Sequence, residues 1–182
     1  KIQAKCIVIA AGAGSFVPRK IPLKNIGHLE EKNILYAVRS KSKLEGKKIL
    51  IAGGGDSALD WTNELSKIAE VTLIHRRKKF KAAPDSVSKM LDLESDNKIK
   101  FSLGQIQSLE PSDGGKIKVT IKNNEEAKVY EVDFLLPFFG LKMELGPIAN
   151  WGLNLEENLI KVDTEKFETS VSSIFAIGDI NI

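Results

Sequence analysis

Three consecutive glycines, Gly53-Gly54-Gly55, followed by Asp56-Ser57-Ala58, stand between an apolar run at 48–52 and an amphipathic stretch at 56–67. This GxGxxA spacing suits close approach to an anionic group. The first glycine permits a tight turn, Gly55 removes the side chain that would hold a pyrophosphate away, and Ala58 lets a helix pack closely on a strand. Free N–H groups and the positive dipole end at a helix start favour phosphate charge. About twenty residues on, where a dinucleotide unit selective for a free ribose 2′-hydroxyl carries an acid, this chain has His75-Arg76-Arg77-Lys78-Lys79. Arginine presents a planar fork that matches phosphate oxygens. The pattern therefore predicts an NADP(H) site, with Arg76 and Arg77 at the 2′-phosphate, His75 as its neighbour and Lys81 as a further cation. The plainer readings are a ligand-free glycine turn and a solvated basic loop. No residue stands out as an acid, base or nucleophile. His28 reads as a surface or hinge residue, Asp56 as a helix cap, and Asp60 as a helix-face carboxylate.

The elements that would position these residues follow from hydrophobic periodicity. Continuous apolar runs at 6–10, 48–52, 71–74 and 134–139 read as buried strands, the first closed by Ala11-Gly12-Ala13-Gly14 and the last by Gly140. Within 56–67, Ala58, Trp61, Leu65 and, just beyond, Ile68 recur at helical spacing. Pro84 sits in the first turn of a second helix reaching residue 93, with Val87, Met90 and Leu91 inward. A strand is expected at 99–103. Alternating stretches at 116–121 and 127–132 around Asn123-Asn124 read as an antiparallel hairpin. A short helix is expected at 145–151, and strands at 159–162 and 174–177. The stretch 28–44 carries no clear period. Strands alternating with helices, then a hairpin, predict an α/β fold with a Rossmann-like βαβ unit and a mainly parallel sheet.

Composition narrows the class. The chain has 182 residues, 42% hydrophobic and 28% charged, with a formal net charge of +3. Its lysines are scattered rather than set in a basic stripe with aromatics, which argues against nucleic acid. No apolar run approaches the roughly 18 residues a membrane span needs. Cys6 is the single cysteine, so no internal disulfide, CxxC redox pair or cysteine-based zinc site exists in the chain. A reduced, cytoplasmic setting is expected, with no membrane partner and no metal. The chain opens Lys1-Ile2-Gln3-Ala4 without methionine and stops at Ile180-Asn181-Ile182. Both ends read as cuts inside structured segments, so a piece of a longer protein is expected.

Taken in order, the motifs resemble the low-molecular-weight thioredoxin reductases and the thioredoxin-reductase-like (type 2) ferredoxin–NADP reductases. The stretch from Gly53 to Lys81 is similar to their NADPH site. His75-Arg76-Arg77-Lys78-Lys79-Phe80-Lys81-Ala82 resembles their HRRxxFRA segment, with Lys81 where arginine is usual. Ile7-Val8-Ile9-Ala10-Ala11-Gly12 looks like the strand-then-ATG motif, with alanine for threonine. Ile174-Phe175-Ala176-Ile177-Gly178-Asp179 looks like the second flavin motif, whose aspartate faces the FAD ribityl and phosphate region. The resemblance implies an NADP(H)-binding domain over 29–141, inserted into a discontinuous FAD-binding domain of which 1–28 and 142–182 are flanks. It implies cofactor-binding roles for Gly53, Gly54, Gly55, Asp56, Ser57, Ala58, His75, Arg76, Arg77, Lys81, Gly140, Gly178 and Asp179, and no catalytic or metal-binding side chain. The family's N-terminal FAD-pyrophosphate unit and C-terminal tail have no counterpart in these residues, so the chain by itself is expected to retain no flavin and to be inactive.

Cysteine separates the two branches. Thioredoxin reductases of this type carry a CxxC dithiol just before the first strand of the NADPH domain, where this chain has Tyr36-Ala37-Val38-Arg39-Ser40. Asp56-Ser57-Ala58-Leu59-Asp60-Trp61, Leu136-Pro137-Phe138-Phe139-Gly140-Leu141-Lys142 and Asn150-Trp151-Gly152-Leu153 resemble the ferredoxin–NADP reductase branch. Trp61 and Trp151 read as core packing. The resemblance then implies hydride transfer between NADPH and FAD, single electrons to ferredoxin or flavodoxin, a domain rotation about linkers near Gly27 and Gly140, and a homodimer. Two other readings stay open: a thioredoxin-reductase-like flavoenzyme with another acceptor, such as a small disulfide or quinone, and an NADP-binding module without catalysis.

Overall fold

The run 49–52 is apolar throughout because both its faces are covered. Ile49 and Ile51 pack among the helices, while Leu50 and Ala52 pack in a separate core on the opposite face. Strand side chains alternate between faces, so a strand buried on both sides shows no polar alternation. In the computed structural model, residues 3–12, 14–30, 32–124 and 126–182 are described. Lys1 and Ile2 at the opening, and Ala13 of the first glycine turn, lie outside them.

In chain order the strands and helices are β1 (Ile7–Ile9), β2 (Ser15–Pro18), β3 (Lys48–Gly53), α1 (Asp56–Leu65), β4 (Glu70–His75), α2 (Pro84–Ser95), β5 (Ile99–Leu103), β6 (Gln105–Pro111), β7 (Ile117–Lys122), β8 (Ala127–Val132), β9 (Phe134–Phe138), β10 (Leu141–Glu144), β11 (Leu155–Glu156), β12 (Leu159–Ile160) and β13 (Ile174–Ala176). They fall into two compact units, Pro18–Gly140 and Lys1–Val17 with Leu141–Ile182.

In the larger unit a parallel sheet runs β5-β4-β3-β9. Helices α1 and α2 cover one face through Leu59, Leu65 and Met90. An antiparallel sheet, β6-β7-β8, covers the other through Ile117, Val119, Ile121 and Val132. The expected hairpin is thus two strands of a three-stranded meander. β6 escapes periodicity because its register shifts between Ile106 and Ser108, so that half-buried Ile106, Ser108 and Leu109 keep no alternation. The unit reaches back to Pro18, ahead of the expected edge at residue 29, because Ile21 and Ile26 belong to the meander-side core.

Helix α1 buries Ala58, Leu59, Thr62 and Leu65, and the Thr62 hydroxyl donates to the Ala58 carbonyl at 2.7 Å. Ile68 packs from beyond the helix end. In α2 only Met90 is fully buried. Val87 is half-buried, and Leu91 faces solvent at 49% exposure, contrary to the expected inward position. A single neighbouring helix gives α2 a narrow apolar stripe, and Leu91 lies outside it.

The smaller unit has its own core of Ile9, Leu145, Leu153, Ile160, Ala176 and Ile180. It contains the parallel pair β1-β13, the pair β2-β10 and the short hairpin β11-β12. The helix expected at 145–151 is a 3-10 turn, Gly146–Asn150. Trp151 is 44% exposed there, so its expected core role is not seen.

Candidate functional site

The order β5-β4-β3-β9 places β3 between β4, which follows it through a helix, and β9, which arrives after the meander. A crevice opens outside the carboxyl ends of parallel strands where their order reverses in this way. A cavity of about 500 Å³ lies there, inside the roughly 300–1,000 Å³ range of small-molecule sites. Its walls include the residues at the carboxyl ends of four strands: Gly53, Gly54 and Gly55 at β3, His75, Arg76 and Arg77 at β4, Gly104 and Gln105 beyond β5, and Phe138, Phe139 and Gly140 at β9.

The three glycines have different reasons to be glycine. None has φ in the left-handed region, so chain reversal is not what demands them. A Cβ on Gly53 would lie 2.5 Å from the Phe138 carbonyl oxygen and 2.9 Å from the Ala58 Cβ. A Cβ on Gly54 would lie 2.4 Å from the His75 ring. On Gly55 it would meet nothing nearer than the Lys81 carbonyl oxygen at 3.9 Å. Gly53 and Gly54 are therefore fixed by packing within the chain. Gly55 faces space that the chain leaves open, at the start of α1.

Lys81 reaches the same turn through main-chain bonds. Its N–H donates to the Gly54 carbonyl at 2.7 Å, and the Ala83 N–H donates to the Asp56 carboxylate at 2.8 Å. Asp56 thus ties the 76–83 loop to the start of α1. It is the first helical residue, and Gly55 holds the cap position, so the expected capping role is not what it performs. Asp60 accepts from the Ser86 hydroxyl at 2.7 Å and joins α1 to α2. Ser57 is exposed, and Ala58 is wholly buried behind the turn.

His75 stacks on Phe80 with ring centroids 5.4 Å apart. Burial pushes its imidazole below the ordinary value, and the charges of Arg76 and Arg77 act in the same direction. It is held as a neutral wall beside Gly54. Among the described residues, Arg76, Arg77 and Lys81 have no carboxylate within ion-pair distance, whereas nine lysines elsewhere do. Clustered cations without internal partners raise the local potential and draw anions.

One wall comes from a stretch without period in the sequence. Ile21 and Pro22 line the cavity. The Ile21 N–H donates to the Tyr36 oxygen at 3.5 Å, Tyr36 donates to the Glu30 carboxylate at 3.0 Å, and Lys20 donates to Glu30 at 2.8 Å. Burial and the Glu30 bond push Tyr36 up to about 12. Gln105 and Ile106 also line the cavity unforeseen. The strand expected at 99–103, just ahead of them, was their only sequence signal.

Of the predicted site residues, the cavity brings together Gly53, Gly54, Gly55, His75, Arg76, Arg77, Lys81 and Gly140. Gly178 and Asp179 belong to the smaller unit. They are exposed in the turn after β13, where Gly178 has φ +78° and open space at its Cβ position. His28 is exposed. Among the described residues no cluster of histidine, cysteine or carboxylate side chains could hold a metal. No helix there is long and apolar enough to cross a membrane.

Comparison with known proteins agrees with this geometry. The family described as pyridine nucleotide-disulphide oxidoreductase matches residues 1–181. A protein of Parvibaculum lavamentivorans named ferredoxin–NADP reductase is 57% identical over 98% of this chain and 53% of its own length. One of Mesorhizobium japonicum with the same name is 52% identical over 98% and 53%. The chain thus spans about half the length of the curated relatives it matches. Among solved structures, thioredoxin reductase of Lactococcus lactis superposes with a TM-score of 0.73 at 25% identity, over 97% of this chain and 58% of that one. Bacillithiol disulfide reductase of Staphylococcus aureus, with a TM-score of 0.75 at 19% identity over 97% and 55%, shares the fold. The resemblance read from the motifs is the one these relatives bear.

Proposed function

This chain belongs to the pyridine nucleotide-disulphide oxidoreductase family, and we propose that its larger unit is the NADP(H)-binding domain of a flavin-dependent ferredoxin–NADP reductase. The observation that carries this reading is the pairing of Gly55, the one glycine of three that internal packing does not require, with the uncompensated rim of Arg76, Arg77 and Lys81. A dinucleotide fits both features. Its pyrophosphate would occupy the open space at Gly55 and the start of α1. Its 2′-phosphate would meet the rim, where no carboxylate competes.

The chain's own residues bind and orient. The Gly53–Gly54 packing fixes the turn, Asp56 fixes the loop carrying Lys81, and the Tyr36–Glu30–Lys20 network fixes the Ile21–Pro22 wall. Bound there, NADPH supplies reducing equivalents that FAD would divide into single electrons for ferredoxin. The segments 1–17 and 141–182 are, on this reading, pieces of the FAD domain flanking the NADP(H) domain at 18–140, with Gly178 and Asp179 toward the flavin. The absence of a CxxC pair, and the names of the relatives, favour ferredoxin over thioredoxin. The family resemblance extends the proposal to flavodoxin as a second carrier, a homodimeric assembly and a cytoplasmic setting.

Steady-state assays of the full-length protein with NADPH test the reading. Turnover with ferredoxin but not with thioredoxin is expected. Turnover with thioredoxin alone, or equal affinity for NADPH and NADH, would overturn it.

A further inference from the structure

Beside the nucleotide cavity lies a second polar hollow of about 500 Å³, lined by Gln107, Lys122 and Asn124 together with Arg76, Gly104, Gln105 and Ile106, four residues that also line the first cavity. Arg76 therefore stands on the wall common to both, and among the described residues no carboxylate lines either. The register of β6 and β7 pairs Gln105 with Lys122. That pairing puts Lys122 at the end of the meander nearest the carboxyl ends of the parallel strands.

The position is fixed by close packing. A Cβ on Gly104 would lie 2.5 Å from the Ile121 side chain and 2.9 Å from the Lys122 carbonyl oxygen. The Gly104 N–H in turn donates to the His75 carbonyl at 3.0 Å. Gly104 thus clamps the backbone at Lys122 against the loop that follows β5 and ties both to the end of β4. Like Arg76, Lys122 has no carboxylate within ion-pair distance among the described residues, although lysines on the surfaces of both units do.

We propose that Lys122, reaching in from the antiparallel meander, is a specificity-determining residue that shares the adenosine 2′-phosphate with Arg76. The inference deepens the NADP(H) reading and rests on it. A 2′-phosphate held near Arg76 would then be contacted from two layers of the fold, the end of β4 and the end of β7. Gln105, Gln107 and Asn124 offer amide donors around the same hollow. Lys122 is exposed and its substitution removes no packed group, so selectivity can be probed without loss of the fold.

Calorimetric titration of the full-length protein with adenosine 2′,5′-bisphosphate and with 5′-AMP isolates the 2′-phosphate. Lys122→Gln should weaken the bisphosphate about fivefold, the size of one partly exposed charge contact. It should leave 5′-AMP unchanged, and Lys122→Arg should restore the wild-type value. The double variant Arg76→Ala with Lys122→Gln should lose less than the sum of the single losses, because the two groups share one phosphate. An unchanged affinity in Lys122→Gln, or equal weakening of both ligands, would overturn the assignment of Lys122 while Arg76→Ala still lowered the preference. Equal binding of both ligands by the unsubstituted protein would instead overturn the NADP(H) reading beneath it.

Discussion

Gly53 and Gly54 press against atoms of the chain itself, whereas Gly55 faces space that the chain leaves open. The same division separates the cations. Lys41, Lys67 and Lys89 on the helical side pair with Glu64 or Asp85, while Arg76, Arg77 and Lys81 at the cavity have no acidic partner among the described residues. One set of residues completes its interactions on folding. The other keeps charge and hydrogen-bonding groups open to solvent, where an anionic ligand could meet them. Stability and binding should accordingly be separable by substitution within a single turn.

The largest effect is expected on the inward side. Gly53→Ala drives a methyl into the backbone of β9, which cannot move without opening the sheet. A loss of about 3 kcal/mol in chemical denaturation is expected. A loss under about 1 kcal/mol would show that the β3–β9 spacing yields, and would blur the contrast.

On the outward side, Arg76→Ala combined with Arg77→Ala should leave stability within about 0.5 kcal/mol and cut the preference for NADPH over NADH by about a hundredfold. An unchanged ratio of dissociation constants would remove the 2′-phosphate from this rim. Gly55→Ala belongs to the same side but reads a different group. Its stability cost should stay near 1 kcal/mol or below. Binding of NADPH and NADH should weaken alike, by about tenfold, since the pyrophosphate is common to both. A selective loss of NADPH alone would contradict that placement.

His75 straddles the division, and pH probes it. Its folded imidazole titrates below the ordinary 6.5 because burial disfavours the charged form. The unfolded chain then binds the proton more readily, so stability is whole above about 6.5 and falls as pH drops through that value toward the lowered folded one. His75→Phe keeps a ring on Gly54 and should flatten this fall in denaturation series between about pH 8 and about pH 5. An identical pH profile would show that His75 titrates alike in the folded and unfolded chains. The smallest change should come from a paired surface cation. Lys100→Ala breaks its contact with Glu70 and should cost under about 0.5 kcal/mol in the same assay.

The parallel strands and both helices were legible because their signals are local. An unbroken run such as 49–52 and the spacing in 56–67 each report burial directly. The wall carrying Ile21 and Pro22 was not, because its order comes from Tyr36 and Glu30, which are distant in sequence and polar. β6 was missed because its alternation is weak. Trp151 misled because a large aromatic reads as core by type, whereas exposure is set by what surrounds it. The three glycines were recognised as a set, but the chain order alone could not say which was needed by packing and which faced open space.

The sequence by itself determined the chemistry of the rim. Arginines stand where an acid would select a 2′-hydroxyl, a glycine turn stands ahead of a helix, and no dithiol is present. These are matters of residue type and short spacing, which the chain carries wherever it folds. Only the tertiary structure decided that Lys81 lies beside Gly54 through a main-chain bond, that Gly104 fixes Lys122 on the hollow adjoining that cavity, and that none of these cations has an acidic partner among the described residues. Those facts depend on which strand ends are brought together by long-range pairing and packing, and a local pattern of residues holds no record of that.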